Sequence, residues 1–164
     1  MKPALLVIDI QNIWLNTNPG LKASLELRVE VINSAIALFR KRGLPIIRVY
    51  HVDKGEGPEP GTEGFEFTTS IKTLDNDTQV IKNYPDAFNK TDLASILEQE
   101  NIDVIILCGL SATCCVAATY FGAQDHDLHP FFLRDGVAAG NEEHIRFAEE
   151  IFETMSVGAL TVML

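Results

Sequence analysis

Residues Asp103–Gly109 read DVIILCG, five consecutive apolar positions between an aspartate and a glycine. A strand with one wet face alternates apolar and polar residues. A run without alternation fits a strand covered on both faces, the condition of inner strands in a parallel sheet. The flanking sequence agrees. On the N-terminal side, Thr91–Glu100 reads as a helix, Thr78–Lys82 as a short strand, Pro45–His51 (PIIRVYH) as a strand and Ala4–Ile8 as another. Between the first two strands, Ser24–Arg42 carries Leu25, Val29, Ile32, Ile36 and Phe39 on one helical face. Ser24 is its expected N-cap, and Arg40, Lys41 and Arg42 sit at the negative end of its dipole before Gly43. On the C-terminal side follow a helix at Ala112–Asp125, a strand at Pro130–Leu133, a helix at Glu142–Met155 and a strand at Ala159–Met163.

This alternation predicts an α/β fold: a three-layer α/β/α sandwich with a central parallel sheet of about six strands, doubly wound and Rossmann-like. One domain spans residues 1–164, a length at which a chain buries enough surface to stand without staples. The segment Val52–Asp77 holds Gly55, Gly57, Pro58, Pro60, Gly61 and Gly64 and reads as a long loop or lid. Its Phe65 and Phe67 are expected to fold over a pocket or into a neighbouring subunit.

With 46% hydrophobic and 22% charged residues, the composition is that of a soluble globular protein. Thirteen basic against 23 acidic residues give a net charge of −10, which argues against nucleic acid or an anionic membrane as partner. The cysteines Cys108, Cys114 and Cys115 are odd in number and two are adjacent, so no disulfide framework is expected. With no cleavable leader pattern and no apolar stretch near the ~20 residues of a membrane span, a cytoplasmic protein is expected.

In a doubly wound sheet the site forms beyond the carboxyl ends of the strands. Asp9 closes the first strand, Lys82 the third, and Cys115 follows the strand ending at Gly109. Taken singly, each also reads as a cap, a surface residue or core packing, and Cys108 inside its strand reads as core. Taken together at converging strand ends, they offer a base, a cation and a nucleophile. A helix N-terminus and a nearby ammonium both favour the thiolate, and a carboxylate emerging from a buried strand has a raised pKa unless a cation is near.

Three segments resemble the isochorismatase-like cysteine hydrolases, a family that includes nicotinamidases and N-carbamoylsarcosine amidases. CGLSATCCVAAT is similar to its nucleophile segment, a glycine followed six residues later by Cys-Val: here Gly109, Cys115 and Val116, which leaves Cys114 out of that role. LLVIDIQNIW resembles the first strand with its aspartate at Asp9, and VIKNYPDAFNKTDLASIL the lysine segment with Lys82 and Phe88. The resemblance implies a Cys115–Asp9–Lys82 triad that hydrolyses a C–N bond of a small amide-type substrate through a thioester. It also implies oxyanion donors at the backbone N–H groups of Ser111 and Cys115, a cis peptide between Leu110 and Ser111, and no cofactor. Ala112, Thr113 and Asp86 depart from residues frequent in the family, which bears on substrate identity. Nicotinamidases hold a metal through an Asp-x-His pair and a further His; here His51 and Asp53 stand in reverse order with no second His before His126, so no metal is expected. The ether-cleaving branch of the family lacks the cysteine and is set aside.

Trp14, His51 and Phe88 are the candidate substrate contacts, with core packing or loop closure as their alternatives. His126, His129 and His144 read as solvent or packing residues, and Glu142, Glu143, Glu149 and Glu150 as a solvated face. A homo-oligomer is expected by analogy with the family. A binding or regulatory protein on the same fold is the competing interpretation, motivated by Ala112 and the Pro85-Asp86 pair. A nucleotide-binding domain is disfavoured because the first strand runs into DIQN and not into a glycine-rich loop.

Overall fold

A computed structural model describes all residues of the chain except Lys54 and Glu56. Six strands form one parallel sheet: β1 (Pro3–Ile8), β2 (Ile46–His51), β3 (Thr78–Lys82), β4 (Val104–Leu110), β5 (His129–Ala138) and β6 (Thr154–Met155). Their spatial order is β3-β2-β1-β4-β5-β6. The direction of winding reverses between β1 and β4, which places the crevice for a ligand at their carboxyl ends.

Both central strands are buried along their whole length, as their sequences require. Ala4, Leu6 and Ile8 face one core with Ile105 and Leu107, while Leu5 and Val7 face the other with Val104, Ile106 and Cys108. Helices α4 (Leu93–Gln99), α5 (Cys115–Asp125) and α6 (Glu142–Ile151) contribute to the first core. Helices α2 (Pro19–Glu26), α3 (Val29–Lys41) and α7 (Val157–Met163) contribute to the second, with the short α1 (Asn12–Thr17) running ahead of α2. The three-layer α/β/α sandwich is therefore realised.

Several expectations need correction. The helix expected over Ser24–Arg42 is two helices. The apolar period continues across the joint, but Arg28 folds inward and its guanidinium donates to the carbonyls of Ser24 (2.9 Å) and Val137 (3.0 Å) and to both oxygens of Glu142 (3.0 and 2.6 Å). Ser24 lies inside α2, whose cap is Asn18 accepting from the Leu21 N–H, with Pro19 at the first helical position. Glu142, read as solvated, is the exposed partner of that buried arginine.

The strand expected at Ala159–Met163 is helix α7. Ser156 caps it by accepting from the Ala159 N–H at 3.1 Å, and only Leu160 is buried while Val162 stands in water. The sixth strand lies earlier, within the expected helix Glu142–Met155, which ends at Ile151. Finally, Phe65 and Phe67 are buried within the chain and stay away from the crevice at the ends of β1 and β4. They stack on Tyr50 at centroid distances of 4.7 and 4.3 Å and complete the second core, tied down by an antiparallel bridge between Gln11 and Phe67.

Candidate active site

Asp9 follows β1 directly and adopts a left-handed backbone (φ 54°), unusual for a residue with a side chain. Its N–H donates to the Val49 carbonyl (2.9 Å), and its own carbonyl accepts from the Gln11 N–H (2.7 Å), so the turn is held from both sides. The next strand over, β2, ends in His51, paired in register with Lys82 at the end of β3. Lys82 is fully buried and reaches toward the first strand, where its ammonium lies 2.9 Å from Asp9 Oδ2. On the other side of β1, Gly109 has φ 112°, and a Cβ there would collide with the Ile8 backbone. Only glycine allows β4 this approach. After it come the cis peptide Leu110–Ser111, a turn through Cys114, and Cys115 as the first residue of α5.

The three residues expected at the strand ends thus meet. Lys82 Nζ donates to Cys115 Sγ at 3.3 Å, and it also lies 3.0 Å from His51 Nδ1. One donor atom each from Asp9, His51 and Cys115 falls within 4.8 Å of the others. A metal ion would suit such a set, but among the described residues the Lys82 ammonium sits 2.9–3.3 Å from all three, so the chain's own cation takes that position.

Burial sets the electrostatics. It raises the pKa of Asp9, and the Lys82 charge together with hydrogen bonds from Cys115 and Lys82 only partly offsets it. Burial likewise pushes the Cys115 thiol above its ordinary range, reinforced by the Asp9 carboxylate and opposed by Lys82. Burial and the Asp9 carboxylate thus act against the thiolate that Lys82 favours, which leaves a proton on sulfur for the carboxylate beside it to take. Asp9 Oδ1 is buried and accepts no hydrogen bond among the described residues. His51 is held below the usual imidazole range by burial and by the Lys82 charge, with Asp9 and Asp53 opposing.

These groups open on a cavity of about 370 Å³ walled by Asp9, Trp14, Thr17, Asn18, Leu21, His51, Pro85, Leu110, Ser111, Cys114 and Cys115. That volume lies at the small end for ligand pockets and fits a small molecule. Among the described residues, no acceptor binds the N–H groups of Ser111 or Cys115. Of the expected substrate contacts, Trp14 and His51 line the cavity, with ring centroids 6.1 Å apart. Phe88 does not. It is buried in the first core with its ring stacked on His126 at 4.9 Å, because the turn after Lys82 presents Pro85 to the cavity instead.

Residues 3–161 match the isochorismatase domain. The chain belongs to the isochorismatase family. It is 32% identical over 129 residues to the isochorismatase family protein YddQ of Bacillus subtilis strain 168, with 77% of this chain and 72% of that protein covered. The structure of N-carbamoylsarcosine amidase from Thermoplasma acidophilum superposes with a TM-score of 0.79 at 26% identity, covering 95% of each chain. An isochorismatase-like hydrolase from Alkaliphilus metalliredigens gives a TM-score of 0.87 at 24% identity over 99% of each chain.

In this isochorismatase-family protein the outer cavity wall comes from α1 and α2, where sequence reading assigned only Trp14. The usable signal was Asn18-Pro19, a cap followed by proline at the first helical position. Gln11 was also passed over as a working residue. It is fully buried, and its side-chain amide brackets His51, donating to the carbonyl (3.0 Å) and accepting from the N–H (2.9 Å).

Proposed function

We propose that the protein hydrolyses a C–N bond of a small amide through a covalent thioester on Cys115, without a cofactor. The observation that carries this reading is one buried ammonium bonded to both a carboxylate and a thiol at the floor of a small cavity. The Cys115 S–H gives its proton to Asp9, and the sulfur forms a bond to the amide carbonyl carbon. The developing oxyanion is met by the free N–H groups of Ser111 and Cys115, each donor worth ~2.7–4 kcal/mol of barrier. Protonated Asp9 donates to the leaving nitrogen as the C–N bond breaks, which leaves the acyl group on sulfur. Water, giving a proton to Asp9, attacks the thioester; the acid departs, and the sulfur recovers its proton from Asp9. Lys82 keeps carboxylate and sulfur in register throughout. The solved relative named as an amidase supports the substrate class.

The test is mass analysis of the Cys115 peptide after mixing with a panel of small amides. An acyl increment is expected in the wild type and none in Cys115→Ala. Full turnover by Cys115→Ala overturns the mechanism, and a panel that leaves no adduct favours the binding-protein reading. The homo-oligomer belongs to the same proposal, since Phe121, Phe147 and Ile151 leave apolar area on the surface of α5 and α6. Sedimentation that finds only monomer at micromolar concentration would refute it.

A further inference from the structure

Lys82 has three N–H bonds to give, and three acceptors surround it: Asp9 Oδ2 (2.9 Å), His51 Nδ1 (3.0 Å) and Cys115 Sγ (3.3 Å). An ammonium has no lone pair, so His51 Nδ1 must be the acceptor in that contact. A ring that accepts at Nδ1 is neutral and carries its single proton on Nε2, and the buried lysine therefore sets the tautomer. The ring's orientation is set as well. Gln11 grips the His51 backbone on both its N–H and its carbonyl, and the Nδ1 edge is turned to Lys82. The opposite edge remains for the cavity that His51 lines, and Nε2–H finds no acceptor there among the described residues.

We propose that His51 determines specificity: its Nε2–H donates to a second hydrogen-bond acceptor on the substrate, which is therefore a small amide bearing a carbonyl or equivalent acceptor close to the scissile group. The spacer is short because His51 Nδ1 and Cys115 Sγ bond the same ammonium, at 3.0 and 3.3 Å, which sets the imidazole beside the sulfur. Trp14, beside the imidazole, supplies an apolar face for that spacer. This rests on the amide-hydrolase reading and adds to it which feature of the amide is recognised. A donor left unmatched by a substrate lacking the acceptor is penalised, which is how a polar contact discriminates between molecules of equal size.

The test compares isosteric pairs, acetoacetamide with isovaleramide and levulinamide with isocaproamide, each pair differing by a ketone against a branched carbon. The readout is the ratio of kcat/KM within a pair. Loss of His51 also disturbs Lys82, but that disturbance acts on both members and cancels in the ratio. The wild type is expected to prefer the ketone amide by about tenfold to a hundredfold in at least one pair. His51→Leu is expected to bring that ratio to near one, and His51→Gln, which keeps a donor and an acceptor, to restore part of it. A ratio near one in the wild type, or one unchanged in His51→Leu, overturns the assignment of His51. Acylation of Cys115 by the same amides is followed in parallel by mass. If it occurs while the ratio stays flat, only the His51 inference falls; if no amide acylates the wild-type sulfur, the hydrolase reading falls and takes this one with it.

Discussion

Two carboxylate–cation pairs stand at opposite ends of this molecule's behaviour. Asp77, in the loop before β3, is held by Arg40 through both oxygens at 2.8 and 2.9 Å, and its Oδ2 also accepts from the Leu74 N–H at 2.7 Å. Burial works against its charge, but the Arg40 hydrogen bonds, the Leu74 N–H and nearby positive charge outweigh that and keep its pKa below the ordinary value. Asp9 has a lysine at similar range, yet its second oxygen is bare and its surroundings are drier, so its pKa goes up. The same pairing of charges stabilises in one place and is left incomplete in the other. An unfinished hydrogen-bond shell on a buried carboxylate is a poor support for a fold and a good place to put a proton.

The sharpest way to break the contrast is to remove each cation. Lys82→Met leaves Asp9 buried without its partner and is expected to cost about 3–5 kcal/mol of stability at neutral pH, together with all measurable turnover. Arg40→Met leaves Asp77 within reach of water and is expected to cost less than about 1 kcal/mol, with turnover unchanged. Denaturant midpoints and steady-state rates read both. Equal costs at the two sites would show that the pairs do not differ in kind.

A smaller effect separates them by pH. The proposed mechanism needs the Asp9 carboxylate, and since its pKa lies above 3.8, the rate should fall as the pH drops through that raised value. The same raised pKa makes Asp9 favour the fold in acid, an advantage present below the unfolded value and lost as pH rises through the folded one. Asp77 behaves oppositely. Its folded pKa lies below 3.8, so its contribution to stability is full above that value and disappears only as pH falls through the depressed one. Between the two, a window is expected in which the chain is folded and inactive. Circular dichroism should stay constant there while activity is lost reversibly; a rate that declines only together with the dichroism signal would remove the distinction.

The sheet was legible because strands buried on both faces leave no room for polar side chains, and β1 and β4 announce this in six or seven letters. The errors came where a local pattern was satisfied by two structures. Ala159–Met163 is rich enough in β-branched and apolar residues to pass for a strand, and the deciding signal was Ser156, a cap three residues upstream. The α2–α3 joint hid behind an unbroken apolar period, since what opens it is a buried arginine reaching β5 and Glu142, more than a hundred positions away. Phe88 looked like a pocket wall from its place near Lys82, but side-chain direction after a turn is a matter of packing.

What the sequence alone determined, then, is the alternation of strand and helix and the presence of an acid, an ammonium and a thiol at strand ends, because period and punctuation are local properties of the chain. Only the tertiary structure decided that one lysine bonds three partners, that burial raises both the carboxyl and the thiol pKa beside it, and that a histidine turns its Nδ1 to that lysine. Charge state and tautomer depend on how much water is excluded and on which atoms face each other across the sheet, and neither is set until distant strands are packed side by side.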